Sequence, residues 1–161
     1  MMNATIKLPT RALFLDFDGV LHPPSAIAGA KPPLTPAEIR EGWPLTFEHL
    51  PLLATLLAGQ TQLAVVVSSS WRIFLNDPEL GELLPPISPW YAGSVGLPYR
   101  GRAEAIGAWL RAHPTVGDFA ILDDTASYFP GTWETLILCD PEQGLGNPVA
   151  QSKLEAWLSL S

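Results

Sequence analysis

The chain has 161 residues, of which 47% are hydrophobic and 16% charged, a composition typical of one folded domain and not of a disordered chain. Nine Lys and Arg against 16 Asp and Glu give a formal net charge of −7, which argues against membrane association and against strong non-specific binding to nucleic acid. Residues 1–11 lack the apolar core of a signal peptide, and no apolar run approaches the ~20 residues that span a bilayer. The single cysteine, Cys139, fits a reducing compartment, so we expect a cytoplasmic protein.

The first half of the chain predicts two buried strands with helices between them. A near-continuous apolar run at 11–17 is typical of a strand buried on both faces. A proline-rich irregular segment follows, and Thr35 before a proline predicts the start of a short helix that ends near Gly42. Leucines that share one face predict a second helix over 47–57, and another two-faced apolar run predicts a strand at 63–67.

The second half continues the alternation. Residues 71–76 and 79–84 predict short helical segments, a brief edge strand is predicted near 90–95, and a good amphipathic helix over 102–112. Two buried strands and a closing helix are predicted at 118–122, 135–139 and 149–160. Buried strands that alternate with helices predict a Rossmann-like three-layer α/β/α sandwich with a mainly parallel sheet, in a single domain over 1–161.

Pairs of polar residues follow three of the four buried strands. Asp16 and Asp18 end the first strand, where residues two apart point to the same face, and two converging carboxylates need a cation or a shared proton. The other pairs are Ser68 with Ser69 after the second strand and Asp123 with Asp124 after the third. Because ligands bind beyond the carboxyl ends of parallel strands, we expect all three pairs to share one site.

The residue types at these strand ends favour phosphoryl chemistry. Four carboxylates form an oxygen-only site suited to Mg²⁺. One aspartate can attack phosphorus while a second transfers protons, and the serine hydroxyls can hold phosphate oxygens. Arg102, at the predicted start of a helix, is a candidate cation for the charge that develops on those oxygens, with Arg100 as a neighbouring alternative.

At the first strand, the sequence Leu-Asp-Phe-Asp-Gly-Val at 15–20 resembles the first motif of the haloacid dehalogenase (HAD) superfamily of phosphohydrolases. The resemblance implies that Asp16 is the nucleophile and Asp18 the general acid/base. It also implies that the backbone carbonyl of Asp18 contacts the metal. The chain is thereby expected to be a Mg²⁺-dependent phosphatase that works through an aspartyl-phosphate.

The later strand ends resemble the remaining three motifs of that superfamily, in the same order. Ser68 is similar to the Ser or Thr that binds the phosphoryl group in the second motif, with Ser69 as the alternative. Arg102 stands where the third motif has a basic residue, usually Lys, and an Arg keeps the charge but changes its geometry. The fourth motif implies that Asp124 ligates Mg²⁺ and that Asp123 acts through water or a hydrogen bond.

A narrower resemblance rests on Ser-Ser-Ser-Trp-Arg at 68–72 together with the later Leu-Asp-Asp. These residues are similar to small HAD domains found alone or fused in RNA-repair proteins. The segment between the first two motifs leaves room for a small lid at most, within 22–46, so we expect a small cap or none. The expected substrate is a phosphomonoester, either a small molecule or a nucleotide or nucleic-acid end.

Other residues near the motifs have simpler interpretations. His22 closely follows the first motif, so it either lines the mouth of the site or, as the favoured interpretation, is an ordinary loop histidine. Trp71 is interpreted as a core residue. Arg72 is either a surface charge or a substrate anchor. Cys139 lies in an apolar strand, where a buried thiol is inert, and is rejected as a nucleophile.

Three alternative functions remain open from the sequence. The chain could be a non-catalytic binding or regulatory domain that retains the site. It could be a receiver-like signalling domain, although receiver domains carry their adjacent acids at the first strand and this chain carries them late. It could also be a phosphotransferase, because an alcohol competes with water for the same intermediate.

Overall fold

The computed structural model describes residues 8–97 and 101–160 of the chain. In this described part of the chain, five strands form one sheet: β1 (Arg11–Leu15), β2 (Leu63–Val67), β3 (Tyr91–Ser94), β4 (Asp118–Asp123) and β5 (Leu136–Leu138). The strand order is β3-β2-β1-β4-β5, and all four pairings are parallel. The predicted Rossmann-like α/β fold is confirmed, and the expected edge strand is present as β3.

The register of the central strands aligns their carboxyl ends. Leu15, the last residue of β1, pairs with Val67 of β2 on one side and with Leu122 of β4 on the other. The alignment continues one residue further, since the N–H of Asp16 donates to the carbonyl of Leu122 at 3.1 Å and the N–H of Ser68 donates to that of Leu15 at 2.9 Å. The residues that follow these strands therefore start from neighbouring points on one edge of the sheet.

Within residues 8–97 and 101–160, five α-helices connect or flank the strands. They are α1 (Pro36–Gly42), α2 (Leu50–Leu57), α3 (Asp77–Glu82), α4 (Arg102–Ala112) and α5 (Pro148–Ser159). Capping boxes begin α1, between Thr35 and Glu38, and α3, between Asn76 and Glu79. Among the described residues, no helix is both long and apolar enough to cross a membrane.

Alternate residues of β1 pack against helices on opposite faces of the sheet. Leu13 and Leu15 belong to a large apolar cluster that includes residues of α1, α2, α3 and α5. Ala12 and Phe14 belong to a smaller cluster with α4, where the Phe14 ring meets Trp109 edge-on at 5.4 Å. The two clusters give the sheet a helical layer on each face, as the two-faced apolar strands predict.

The structure differs from the sequence expectations at several element ends. The first strand ends at Leu15, so Asp16 and Phe17 lie in the loop that follows it, although the sequence predicts a strand over 11–17. Helix α2 begins at Leu50 because Phe47 adopts a left-handed conformation (φ 61°) that interrupts a helix. The segment at 71–76 forms a 3₁₀ helix over Ser70–Ile73. Arg100, the alternative to Arg102, lies outside the described residues.

The segment 22–46, expected as a small lid, contains two short helices. One is a 3₁₀ helix over Pro24–Ile27, and the other is α1. Trp43 connects the C-terminal ends of these two helices, because its indole N–H donates to the carbonyl of Ala28 at 3.0 Å. These elements lie on the side of the sheet edge next to Asp18, where they line a cavity together with Trp71 and Phe74.

Candidate active site

The aligned strand ends bring three carboxylates together. One oxygen from each of Asp16, Asp123 and Asp124 lies within 4.8 Å of the other two. Asp16 is 4% exposed and Asp123 is fully buried. Burial raises the pKa of Asp16 well above its ordinary value, and the neighbouring charge of Asp123 raises it further. Such a cluster is unfavourable without a cation, which is the condition that the sequence predicts for this edge of the sheet.

Arg102 supplies one cation to this cluster from the first turn of α4. Its Nη1 lies 3.2 Å from Oδ2 of Asp16 and 2.6 Å from Oδ2 of Asp123. The guanidinium also lies over the ring of Tyr128, 4.6 Å from its centroid. Burial by itself would lower the pKa of Arg102, but Asp16 and Asp123 outweigh burial and raise that pKa. Arg102 therefore stays charged and joins the predicted nucleophile to the fourth strand's acid.

The remaining contacts of the acidic cluster divide its members into two groups. Both oxygens of Asp123 are occupied, Oδ2 by Arg102 and Oδ1 by the backbone N–H of Thr125 at 2.9 Å. Asp124 accepts from the hydroxyl of Thr125 through Oδ1 at 2.9 Å. Oδ1 of Asp16 accepts from the N–H of Phe17 at 2.8 Å. Asp123 is thus held most tightly, because its contact with Arg102 is the shorter of the two that this arginine makes. Asp16 has the longer contact, and Asp124 contacts Thr125 through one oxygen. Asp16 and Asp124 are therefore the members best able to accept a further ligand.

The cluster fits a magnesium ion by charge and by donor type. One arginine leaves three carboxylates under-compensated, and all of the donors are the hard oxygens that Mg²⁺ prefers. Asp16 and Asp124 would hold the ion directly, with Asp123 held by Arg102 beside them. The carboxylate of Asp18, named with the other three as a metal ligand from the sequence, is not part of this cluster. The resemblance implies its backbone carbonyl as the ligand.

Gly19 allows Asp124 to approach the first loop closely. A Cβ atom at position 19 would overlap the carboxylate of Asp124, and the glycine has a φ of 77°, in the left-handed region that side chains disfavour. Both features require glycine at this position. The glycine that follows the two aspartates in the sequence therefore has a steric role within the acidic cluster.

Asp18 is held by two side-chain donors. Its Oδ1 lies 2.9 Å from Nε2 of His22, and its Oδ2 accepts from the indole N–H of Trp71 at 2.9 Å. The other ring nitrogen of His22, Nδ1, accepts from the backbone N–H of Phe47 at 3.1 Å. Because a backbone N–H can only donate, the proton of a neutral imidazole is on Nε2, where it donates to Asp18. Both carboxylate oxygens are oriented, and each keeps a lone pair.

These two donors to Asp18 were not recognised in the sequence. His22 lies in the loop after β1 but is fully buried against Asp18, which agrees with the alternative that it borders the site and not with an ordinary exposed loop histidine. Trp71 is a core residue as expected and also a hydrogen-bond donor. The position of His22, four residues after Asp18 across a Gly turn, is a signal that could have been used. Trp71 is 53 residues from Asp18, and only the fold brings the two together.

The two candidate phosphate-binding serines have different roles in the fold. The hydroxyl of Ser69 accepts from the N–H of Trp71 at 3.2 Å and caps the 3₁₀ helix that follows. The hydroxyl of Ser68 is fully buried and has no hydrogen-bond partner among the described residues. A buried hydroxyl without a partner is unfavourable, so Ser68 is the serine whose side chain remains available to a ligand.

Arg72 supports the backbone that carries these serines. Its guanidinium donates to the carbonyls of Ser68 at 2.7 Å, Ser69 at 2.9 Å and Gly96 at 3.3 Å. The residue is only 7% exposed, so it is not a surface charge. Burial and the nearby charge of Arg102 lower its pKa. The contacts of Arg72 point to a structural role, fixing the turn after β2.

Residues 12–150 match the family described as the HAD domain in Swiss Army Knife RNA repair proteins. The chain belongs to this family. No curated protein and no solved structure is significantly similar to the chain. The family match covers β1 to the start of α5 and includes every residue of the site described above. Membership of the HAD superfamily agrees with the parallel sheet and suggests a phosphohydrolase.

Proposed function

We propose that this HAD domain is a Mg²⁺-dependent phosphomonoesterase that forms an aspartyl-phosphate on Asp16. The observation that carries the proposal is the buried, unpartnered hydroxyl of Ser68, one residue past the paired ends of β1 and β2 and level with Asp16. A phosphoryl oxygen would accept the hydrogen bond that this hydroxyl otherwise lacks. The arrangement thus supplies a nucleophile and a phosphate-binding group side by side.

The first half of the reaction transfers the phosphoryl group to the enzyme. A carboxylate oxygen of Asp16 attacks phosphorus as the bond between phosphorus and the ester oxygen breaks. Asp18, as the carboxylic acid, gives its proton to the departing oxygen, so that the alcohol leaves neutral. Arg102 beside Asp16 and the hydroxyl of Ser68 stabilise the charge on the phosphoryl oxygens.

The second half returns the enzyme to its starting state. Asp18, now a carboxylate, takes a proton from water while the water oxygen attacks phosphorus, and the bond from phosphorus to Asp16 breaks. A magnesium ion bound by Asp16 and Asp124 would neutralise charge on the carboxylates and on the phosphoryl group. His22 and Trp71 keep the Asp18 carboxyl in one orientation through both halves.

The proposed substrate is a phosphomonoester of a small molecule or of a nucleic-acid end. The RNA-repair description of the family favours nucleotides or RNA ends, and the net charge of −7 disfavours strong non-specific binding to polynucleotides. Cytoplasmic location is part of the proposal, since the one cysteine is a free thiol.

The proposal is tested by steady-state hydrolysis of phosphate monoesters with Mg²⁺. Asp16→Asn should abolish turnover, while the matched variant Asp118→Asn should not, because Asp118 lies at the opposite end of β4 in an ion pair with Arg11. Mg²⁺ binding without turnover by the wild type, across small esters and oligonucleotide ends, would show a non-catalytic domain. Release of phosphate esters of an added alcohol would show a phosphotransferase.

A further inference from the structure

A cavity of about 200 Å³ opens beside Asp18, between the segment 22–46 and the turn after β2. Its lining residues are Asp18, Ile27, Ala30, Pro32, Leu34, Ile39, Ser70, Trp71 and Phe74. Five of them, from Ile27 to Ile39, come from the segment 22–46. The cavity therefore lies next to the group that, in the proposed function, gives its proton to the leaving alcohol.

The chemistry of the lining is apolar and aromatic. Asp18 is its one titratable residue, Ser70 is the other polar side chain, and no Lys or Arg contributes to the lining. A second phosphate would meet a carboxylate there without a cation, and a polyhydroxyl group would lose hydrogen bonds to water with few replacements. The lining thus disfavours a charged or sugar-like group inside the cavity itself.

The aromatic wall of the cavity is held in place. Trp71 is only 4% exposed and is fixed by its hydrogen bond to Asp18. Its ring lies 6.0 Å from that of Phe74 at an interplanar angle of 36°. A rigid wall of two rings offers faces and edges against which a third ring can pack.

We propose that this cavity binds the leaving group of the substrate, and that this leaving group carries an aromatic ring, either an aryl group or a nucleobase. The proposal rests on the proposed function for the role of Asp18 as the acid that contacts the ester oxygen. The volume is adequate, since an apolar cavity of about 150 Å³ already holds a benzene molecule. A ring one or a few bonds from the ester oxygen would fill the cavity while the phosphate lies over Asp16.

Three phosphate esters of primary alcohols test the proposal through kcat/KM. Benzyl, cyclohexylmethyl and methyl phosphate present similar ester chemistry and differ in the group that would enter the cavity. We expect benzyl phosphate to exceed methyl phosphate by about 10-fold or more, with cyclohexylmethyl phosphate between them. Equal values for benzyl and methyl phosphate would overturn the proposal.

A cavity-filling variant tests whether the preference for benzyl phosphate arises from this cavity. Leu34→Trp should reduce the benzyl-to-methyl ratio toward one, because the indole would occupy the space beside Trp71 and Phe74. Leu45→Trp is the matched control, since Leu45 lies in the same segment, is 68% exposed and does not line the cavity. Ile27→Trp is a second filling variant if Leu34→Trp does not fold. A ratio that both filling variants leave unchanged would contradict the assignment.

Binding of non-hydrolysable phosphonates separates this proposal from the proposed hydrolase. Benzylphosphonate should bind the Mg²⁺-loaded protein about 10-fold more tightly than methylphosphonate in calorimetry, and Leu34→Trp should remove the difference. Selective binding without hydrolysis of benzyl phosphate would refute the hydrolase and leave the cavity assignment standing. Absence of selective binding would overturn the assignment even if the protein hydrolyses small esters.

Nucleoside monophosphates distinguish the two sources of the ring. If adenosine or uridine monophosphate exceeds benzyl phosphate in kcat/KM, and the filling variants remove that advantage, the ring is a nucleobase. If benzyl phosphate remains the better substrate, the ring is an aryl group attached closer to the ester oxygen. Both results presuppose that the wild type prefers benzyl phosphate to methyl phosphate.

Discussion

Nε2 of His22 lies 2.9 Å from Oδ1 of Asp18, and the proton between them belongs to the histidine because its Nδ1 accepts from the N–H of Phe47. The imidazole is fully buried, whereas the side chain of Asp18 is 34% exposed. Asp18 is thereby held by a rigid donor on the same loop. In the proposed reaction, His22 is a positioning residue that acts through Asp18.

His22→Asn should lower kcat by about 10- to 100-fold with little change in KM, less than the 10²–10⁴ that a general acid contributes in full. The amide oxygen of Asn can replace Nδ1 as acceptor for Phe47, but no donor then reaches Asp18. In the Asp18→Asn background the substitution should have almost no further effect. His113→Asn is the control, because His113 stacks on Trp109 away from the site. An unchanged kcat, or a full effect without Asp18, would show that His22 has only a structural role.

The sequence was sufficient to predict the order of the strands and helices along the chain and the position of most of them. The amphipathic spacing predicted α4 with the same bounds, Arg102–Ala112, because its apolar stripe packs against one face of a sheet. The start of α2 could not be predicted in the same way. Phe47 combines its left-handed conformation with a hydrogen bond from its N–H to His22, a contact between residues 25 positions apart that the local sequence does not indicate.

The candidate site could likewise be predicted only in part. Asp16, Ser68 and Asp123 are predictable as neighbours because parallel strands align their carboxyl ends. The contacts of Asp18 with His22 and Trp71 required the packed fold. So did the distinction between the serines, because the capping bond that Ser69 forms with Trp71 depends on where β2 ends.

Gly19→Ala should weaken Mg²⁺ binding as well as stability. The new methyl group would overlap the carboxylate of Asp124, one of the two residues that would hold the ion directly. Gly29→Ala is a matched control, because its φ of 80° is equally left-handed but nothing lies within 4 Å of the added Cβ. The control should cost about 1 kcal/mol through backbone strain alone. Thermal unfolding with and without Mg²⁺ measures both effects, and equal losses in the two variants would contradict the role of Gly19.

Asp16→Asn should raise the Tm of the metal-free protein at neutral pH. Burial and Asp123 raise the pKa of Asp16 in the folded state, so ionisation of this group costs folding free energy. The cost is absent below about pH 4, where the carboxyl is protonated in both states, and it grows as the pH rises toward the folded pKa. Adding Mg²⁺ should reduce or reverse the advantage by stabilising the wild type.

Unfolding scans in EDTA at about pH 4 and about pH 7.5 measure this difference. Asp118→Asn is the control, since Asp118 is 44% exposed at the other end of the sheet and pairs with Arg11. If Asp16→Asn is less stable than the wild type at both pH values, Arg102 fully offsets the cost of the buried charge on Asp16, and the prediction is wrong.

Cys139 should resist alkylation in the folded protein. Burial, followed by the charges of the acidic cluster, raises the pKa of its thiol to about 12, and the residue is only 2% exposed. Iodoacetamide at about pH 8 should therefore modify the unfolded chain rapidly and the native chain slowly, with hydrolysis unaffected. Intact mass spectrometry counts the adducts. Rapid native modification with loss of activity would restore the thiol as a candidate nucleophile.

Ser68→Ala should impair catalysis without loss of stability, whereas Ser69→Ala should mainly lower stability. Removing the unpartnered hydroxyl of Ser68 should leave the Tm unchanged or raise it, because a buried group without a hydrogen bond is lost. The same change should lower kcat/KM by about 10- to 100-fold, the equivalent of one hydrogen bond to a charged phosphate.

Ser69→Ala removes the capping bond to Trp71, which should cost about 1 kcal/mol and lower the Tm by about 2–4 °C. Its effect on kcat/KM should be smaller than that of Ser68→Ala, since its hydroxyl is already occupied. Unfolding scans and kcat/KM on one ester measure the pair under identical conditions. If Ser68→Ala is the less stable variant and keeps full activity, its hydroxyl has a structural partner and not a phosphate ligand, and the observation that carries the proposed function fails.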